Sequence, residues 1–228
     1  IIDNRSDDLR VKEYLAAENS ENHLKVIQYD KPFNHSEINN IAVKSIDSEF
    51  VVFMNNDIEI ISDRWLEQLV ATIQIDESVA VAGGLLLYPN GKVQHAGIVL
   101  GLYGVAEHSH KYSVSNSIGY CGRLKSLQEM SGITFALAIV RRSNFELVGG
   151  FNSQRYPTSF NDVDLCIRLR KKGFRCLYNP MVKAIHYETL TRPINEKELI
   201  YGGRIKNDYS EILRNDPFYN PNLALDNE

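Results

Sequence analysis

The chain has 228 residues, 43% hydrophobic and 24% charged, with a net charge of -4 at pH 7, which fits one ordinary globular domain spanning residues 1–228. That balance offers no basic excess for a phosphate backbone, so nucleic acid is not an expected partner. No apolar run approaches the ~20 residues that cross a bilayer and the opening residues lack a leader pattern, so any membrane contact is expected to be peripheral.

The opening residues Ile1-Ile2-Asp3-Asn4-Arg5-Ser6-Asp7-Asp8 read as the end of a strand running into a turn and a helix cap. A chain rarely starts inside a strand, so residues upstream of Ile1 are expected. Residues 9–17 read as a helix with Leu9, Val11, Tyr14, Leu15 and Ala16 as its apolar positions, and residues 24–29 as a short strand. Ser36 opens a second helix whose stripe is Ile38, Ile41, Ala42 and Ile46. Residues 50–54, Phe-Val-Val-Phe-Met, have the bias of a strand buried on both faces. A third helix starts near Asp63, with Trp65, Leu66, Leu69, Val70 and Ile73 facing a core. Residues 79–88 form the next buried strand, closed by Pro89-Asn90-Gly91. Strand alternating with helix predicts parallel strands joined by crossovers, an α/β fold.

From residue 93 to about 125, glycines are frequent and helix signals few, which predicts loops and short hairpin strands over one end of the sheet. Residues 134–140 are another buried strand, and residues 142–148 a short helix ended by Gly149-Gly150. Residues 162–172 form a strong helix stopped by Gly173, and two short strands, 175–178 and 182–186, flank Pro180. A last helix over 196–214 precedes a polar tail, 216–228. Cys121, Cys166 and Cys176 lack CxxC spacing and read as reduced thiols of a cytosolic protein.

Two places carry chemistry. Asn55-Asn56-Asp57 follows the Phe50 strand directly, hence lies at the carboxyl edge of the sheet, where open α/β folds bind ligands. A carboxylate held there can keep a divalent cation against a phosphate-bearing ligand, although the same three residues also favour a plain turn. Asp162 and Asp164 fall in the first turn of a helix, where acids complement the dipole. One acid suffices for that, and a carboxylate beside the loop 157–161 can take a proton from a hydroxyl. His95 suits either a ligand contact or a structural bond to a loop carbonyl. His108 and His110 would face one way on a strand, but no cysteine or carboxylate pair accompanies them to make a zinc site.

In order along the chain, these segments resemble the family 2 glycosyltransferases, inverting enzymes with a GT-A fold. Residues 1–8 resemble the strand-turn at the family's nucleotide site, and Asn55-Asn56-Asp57 its DxD-type metal motif in an NND form. Gly149-Gly150-Phe151 resembles its GGF loop, Asn161-Asp162 its ED pair, and His186 the histidine after the last core strand. Phe33-Asn34, Ile38-Asn39-Asn40, Gln94-His95-Ala96-Gly97 and the terminal DPFYNPNL are similar to the bacterial branch that assembles rhamnose-containing surface polysaccharides. Two positions depart from the pattern. Asn152-Ser153 replaces the usual Asp-Glu after GGF, and Phe135 stands where a glycine is common, which would crowd the pocket.

The resemblance implies a three-layer α/β/α sandwich with a mixed central sheet whose first strand is missing from these residues. It implies that Asp57 holds Mg²⁺ or Mn²⁺ across a donor's two phosphates, with His186 as a further ligand or phosphate contact. Asp3 would accept a hydrogen bond from a pyrimidine base, with Asn4 beside it in the nucleotide site. Asn56 would lie by the ribose, and Gly150 would line the donor pocket. Asp162 would be the general base, Asp164 would cap the helix or fix a loop, and Arg168 and Arg170 would be solvated or face the phosphates. The implied donor is dTDP-rhamnose or a UDP-hexose and the acceptor a glycan or lipid-linked hydroxyl, at the cytoplasmic face of a bacterial membrane. Two other readings stay open: a nucleotidyltransferase on a similar sheet, which needs a glycine- and arginine-rich phosphate loop, and a non-catalytic module that binds nucleotide or glycan.

Overall fold

The computed structural model describes residues 1–20, 24–188 and 196–226, so the last two residues of the expected tail lie outside it. Strands β1 (Ile2–Asp3) and β2 (Ile27–Gln28) pair in parallel as a small separate sheet, joined through helix α1 (Leu9–Ser20). Helix α1 forms as expected, yet Leu9, Val11 and Tyr14 are exposed and only Leu15 is buried. The reason is local: β2 has two residues where six were expected, so among the described residues no broad strand surface lies beneath the helix.

Helix α2 (His35–Lys44) begins one residue before Ser36, because the Asn34 side chain caps it by accepting from the Glu37 amide. Ser36 is buried instead and donates its hydroxyl to the Tyr156 carbonyl. Strand β3 (Phe50–Met54) is not buried on both faces: Val51 and Phe53 are buried, while Met54 is exposed. Its position explains this, since β3 ends the row of the large sheet and pairs only with one neighbour among the described residues.

The remaining elements are β4 (Ile58–Ile60), α3 (Trp65–Ile73), β5 (Val79–Leu87), β6 (Val93–His95), β7 (Ile98–Leu100), β8 (Ala106–His108), β9 (Gln128–Met130), β10 (Leu137–Arg141), α4 (Arg142–Leu147), α5 (Asn161–Lys171), β11 (Arg175–His186) and α6 (Glu196–Tyr209). Seven strands form one mixed sheet in the order β3-β10-β5-β11-β4, with β6 on β5 and β9 on β11. Strand β10 runs antiparallel to both β3 and β5, and β11 runs parallel to β5. The carboxyl ends of β3, β5 and β11 therefore share one edge. Short β4, which the sequence pattern does not announce, returns from that edge antiparallel to β11.

The sheet is covered on both sides. Leu69 and Ile73 of α3 pack with Val79, Ala82 and Leu86 on one face. Val43 of α2, Phe145 of α4, and Leu165 and Leu169 of α5 pack with Val81, Leu85 and Val140 on the other. This is the three-layer arrangement the sequence implied.

Residues 175–186 form one strand, not two. Its pairing with β5 slips between Asn179 and Lys183, and Pro180 sits in that slip, where no ladder bond from its nitrogen is needed. Gly84 faces the slip, and a Cβ there would stand 2.5 Å from the Val182 carbonyl oxygen. Helix α6 stops at Tyr209, and a 3-10 turn at Ile212–Arg214 replaces its expected last turn. The tail is docked. Buried Asp216 accepts from the Leu100 amide at 2.6 Å and from the Phe218 amide at 2.7 Å. Among the described residues no helix is long and apolar enough to cross a membrane.

Candidate active site

The turn between β3 and β4 carries Asn55, Asn56 and Asp57, and β11 ends at His186, paired with Ile58 of β4. The Asp57 carbonyl also accepts from the Tyr187 amide at 2.9 Å. This pairing brings His186 Nε2 to 3.2 Å from Asp57 Oδ1. The two atoms are within ion-pair distance, but their geometry does not make a hydrogen bond. Asp57 Oδ1 is thus buried with no hydrogen-bond partner, while the side chain as a whole is 42% exposed. Asn56 is exposed at the tip of the same turn.

His186 is buried and its Nδ1 lies 2.8 Å from Gln94 Oε1. An amide oxygen only accepts, so the His186 proton is on Nδ1 and the Nε2 lone pair faces Asp57. A lone pair opposite a buried carboxylate oxygen lacks an electrophile between them, and a divalent cation is the group that fits. Among the described residues no cluster of three or more His, Cys, Asp or Glu side chains could hold a metal. Two protein ligands suit a cation whose shell is completed by phosphates and water.

Asp162, in the first turn of α5, is only partly exposed. Burial pushes its carboxyl above the usual range, against hydrogen bonds from the Val163 amide, the Thr134 hydroxyl and the Phe135 amide. Two bridges tie it to the Asp57 turn. The segment that bonds Asp162 continues into Ala136, whose carbonyl accepts from the Asn55 amide at 2.9 Å. On the other side Asn161 lies 3.0 Å from His35 Nδ1, and His35 in turn hydrogen-bonds Asn55. Asp57 and Asp162 therefore both lie at the carboxyl edge of the sheet, linked through these two bridges.

The other expected residues make local contacts. Asp3 is buried and its carboxylate accepts from Ser6, which holds its pKa down. Asn4 donates to the Tyr29 and Lys31 carbonyls at 2.8 and 3.0 Å, so its amide nitrogen closes the β1–β2 unit. Gly150 does not offer its peptide to a donor: its amide bonds the Phe145 carbonyl and its carbonyl takes Arg168. With φ of +69° and Asn40 Oδ1 only 2.5 Å from a built Cβ, it is a packed turn.

Arg168 does not face a phosphate site. It binds Asp164, 2% exposed, at 2.6 Å and also takes the Val148 and Gly150 carbonyls, while Tyr209 donates to the same carboxylate. Asp164 is thus the loop-fixing residue expected. Arg170 pairs with Glu129. Phe135 does not crowd the pocket, because its ring is buried against Phe53 and Phe151 at centroid distances of 5.1 and 5.0 Å.

His95 is structural, but it binds loop amides and not a carbonyl. Its Nε2 accepts from Gly97 and Thr134, so its Nδ1–H points to His108 Nδ1 at 2.8 Å. Burial depresses both imidazoles, His108 to about 4. His108 and His110 do not share a face, since His110 lies beyond β8 with φ of +58°. His35 and Gln94 were given no role from sequence. Gln94 opens the Gln94-His95-Ala96-Gly97 run and His35 follows Phe33-Asn34, but only the register of β5 with β6 and the start of α2 bring them beside His186 and Asn55. All three cysteines are free thiols.

A family model described as "Glycosyltransferase like family 2" matches residues 1–199. The chain is 35% identical to protein y4gI of Sinorhizobium fredii over 99% of its own length and 26% of that protein. It is 35% identical to the O-antigen biosynthesis protein RfbC of Myxococcus xanthus over 89% of its own length and 16% of that protein. It therefore spans about a quarter or less of these relatives. Among solved structures, GalNAc-T7 with UDP, GalNAc and Mn²⁺ superposes with a TM-score of 0.70 at 15% identity, over 90% of this chain and 40% of that one. A Pyrobaculum calidifontis mannosyltransferase with GDP-Man and Mn²⁺ gives 0.54 at 14% identity, over 83% of this chain and 48% of that one.

Proposed function

This chain belongs to glycosyltransferase family 2, and from that premise we propose that it is the catalytic domain of a metal-dependent, inverting nucleotide-sugar transferase. The GT-A fold positions the parts, and one observation carries the reading: the orphaned Asp57 Oδ1 facing the His186 Nε2 lone pair at 3.2 Å, at the sheet edge that also carries Asp162. The neighbours solved with Mn²⁺ and a nucleotide or nucleotide sugar support a divalent ion, Mg²⁺ or Mn²⁺.

Asp57 and His186 would hold the ion against the donor's diphosphate. When bound, such an ion offsets the negative charge that develops on the departing nucleoside diphosphate. Asn56, exposed beside them, would lie by the ribose. Asp162 accepts the proton of the acceptor hydroxyl as that oxygen attacks the anomeric carbon from the face opposite the diphosphate, which inverts the configuration. Its raised pKa makes it a stronger base once ionised, and the Thr134 hydroxyl and Phe135 amide keep it aimed. Asp3 and Asn4 hold the small sheet, which would border the base.

The donor is dTDP-rhamnose or a UDP-hexose, and the acceptor a glycan or lipid-linked hydroxyl in bacterial polysaccharide synthesis, as the similarity to an O-antigen biosynthesis protein supports. In this proposal the reaction takes place in the cytoplasm, peripheral to the inner face of the plasma membrane. A purely binding module gains nothing from a carboxylate buried against its own charge. The test is titration calorimetry of the full protein with UDP and dTDP, with and without Mn²⁺, followed by NMR of the product anomer. Metal-dependent binding of one nucleotide and an inverted product are expected. Absence of both bindings, or a retained configuration, overturns the reading.

A further inference from the structure

We infer that Gln94 is a positioning residue that sets which nitrogen of His186 is free for the metal, and that Glu188 fixes Gln94 in turn. This rests on the reading of Asp57 and His186 as the metal pair. The Gln94 side chain is buried on β6, between the two residues it touches. Its Oε1 lies 2.8 Å from His186 Nδ1, and its Nε2 donates to Glu188 Oε2 at 3.4 Å.

The direction of this chain is forced by chemistry at its far end. A carboxylate only accepts, so the amide must turn its NH₂ toward Glu188 and its oxygen toward His186. The oxygen then requires a proton on Nδ1. A neutral imidazole carries one proton, so Nε2 is left bare, 3.2 Å from the orphaned oxygen of Asp57. Were the amide reversed, two acceptors would face each other at Glu188, and the NH₂ would take the Nδ1 lone pair. The proton would move to Nε2 and leave no lone pair there for a cation. Outer partners of this kind act on both ligand orientation and basicity.

The register of the sheet makes the contact permanent. Strand β6 pairs with β5 through Leu86 and His95, and β5 pairs with β11 up to Ile185. Gln94 and His186 are therefore held on neighbouring rigid elements. Asn55 Nδ2 lies 3.5 Å from Nε2, a weak contact compatible with a bare nitrogen.

The experiment uses the full chain without metal and then with Mn²⁺ and UDP. Long-range proton–nitrogen correlation NMR at mildly alkaline pH reads the His186 tautomer, and electron paramagnetic resonance of free Mn²⁺ reads affinity. The wild type is expected to hold the proton on Nδ1. Gln94→Leu should give a mixed tautomer and about 10–100-fold weaker Mn²⁺ binding. The exchange of Gln94→Glu with Glu188→Gln keeps an acceptor on Nδ1 and a donor behind it, and should restore both signals. Asp57→Ala and His186→Ala separate the two claims. If Mn²⁺ binds these variants normally, the metal reading itself fails. If they lose Mn²⁺ while Gln94→Leu changes neither tautomer nor affinity, the role of Gln94 is overturned alone. If Gln94→Leu does not fold, the exchanged pair decides, since a proton on Nε2 there also overturns it.

Discussion

His186 and Asp57 come from opposite halves of the chain, yet antiparallel pairing of β4 with the end of β11 sets Nε2 and Oδ1 3.2 Å apart. Asp57→Ala should remove Mn²⁺-dependent UDP binding by more than the ~10–100-fold that outer partners contribute. Calorimetry with and without the ion measures it, and undiminished binding refutes the assignment.

Asp162→Asn should lower kcat by about 10²–10⁴, the usual contribution of a general base, with little change in donor KM. Because burial raises the Asp162 pKa, transfer by the wild type should increase with pH until that carboxyl has lost its proton. A flat profile in steady-state transfer assays would count against the role.

The same shift has a stability sign. The folded state binds the Asp162 proton more tightly than the unfolded chain, so this group's contribution declines as pH rises from the ordinary carboxylate value through the raised one. Asp162→Asn has no such decline and should melt higher than wild type at neutral pH, by differential scanning calorimetry.

His108 works the other way. Its neutral form is held in the fold down to about pH 4, whereas the unfolded imidazole protonates near 6.5. The unfolded state therefore binds more protons between those values, and stability falls as pH is lowered through that window. His108→Gln should flatten the fall in melting temperature between neutral and mildly acid pH.

Arg168→Ala would leave Asp164 buried without its cation. A loss of roughly 3–5 kcal/mol is expected from breaking such a pair, read by urea unfolding. The Gly149–Gly150 turn should loosen with it, because Arg168 also holds the Val148 and Gly150 carbonyls.

Much of the candidate site's placement was legible because strands announce their ends. The run 50–54 stops at Asn55, and that alone puts Asp57 at the ligand edge, while Gly173 and the apolar residues after it locate His186. Asp164 likewise kept the loop-fixing role its helix position suggested. What could not be read depends on register. Strand β4 has three residues and none fully buried, too few for an alternation. Gln94 and His35 have no pattern of their own and acquire meaning only from the strands and helices beside them. The local bonds of Asp3 to Ser6 and of Asn4 to the Tyr29 and Lys31 carbonyls leave no mark in sequence. Arg168 looked free for the same reason, since nothing near it in the chain announces the Gly150 carbonyl.

The docked tail sets a boundary on how the domain can be shortened. The family match ends at residue 199, yet Asp216 caps the Leu100 amide, Phe218 lies under the Arg170 guanidinium at 4.4 Å, and the Leu225 carbonyl takes the Tyr103 amide. A chain trimmed at the family limit would strip the outer hairpin of its latch and uncover the apolar seam beneath it. The smallest autonomous unit is therefore longer than the segment that the family model covers.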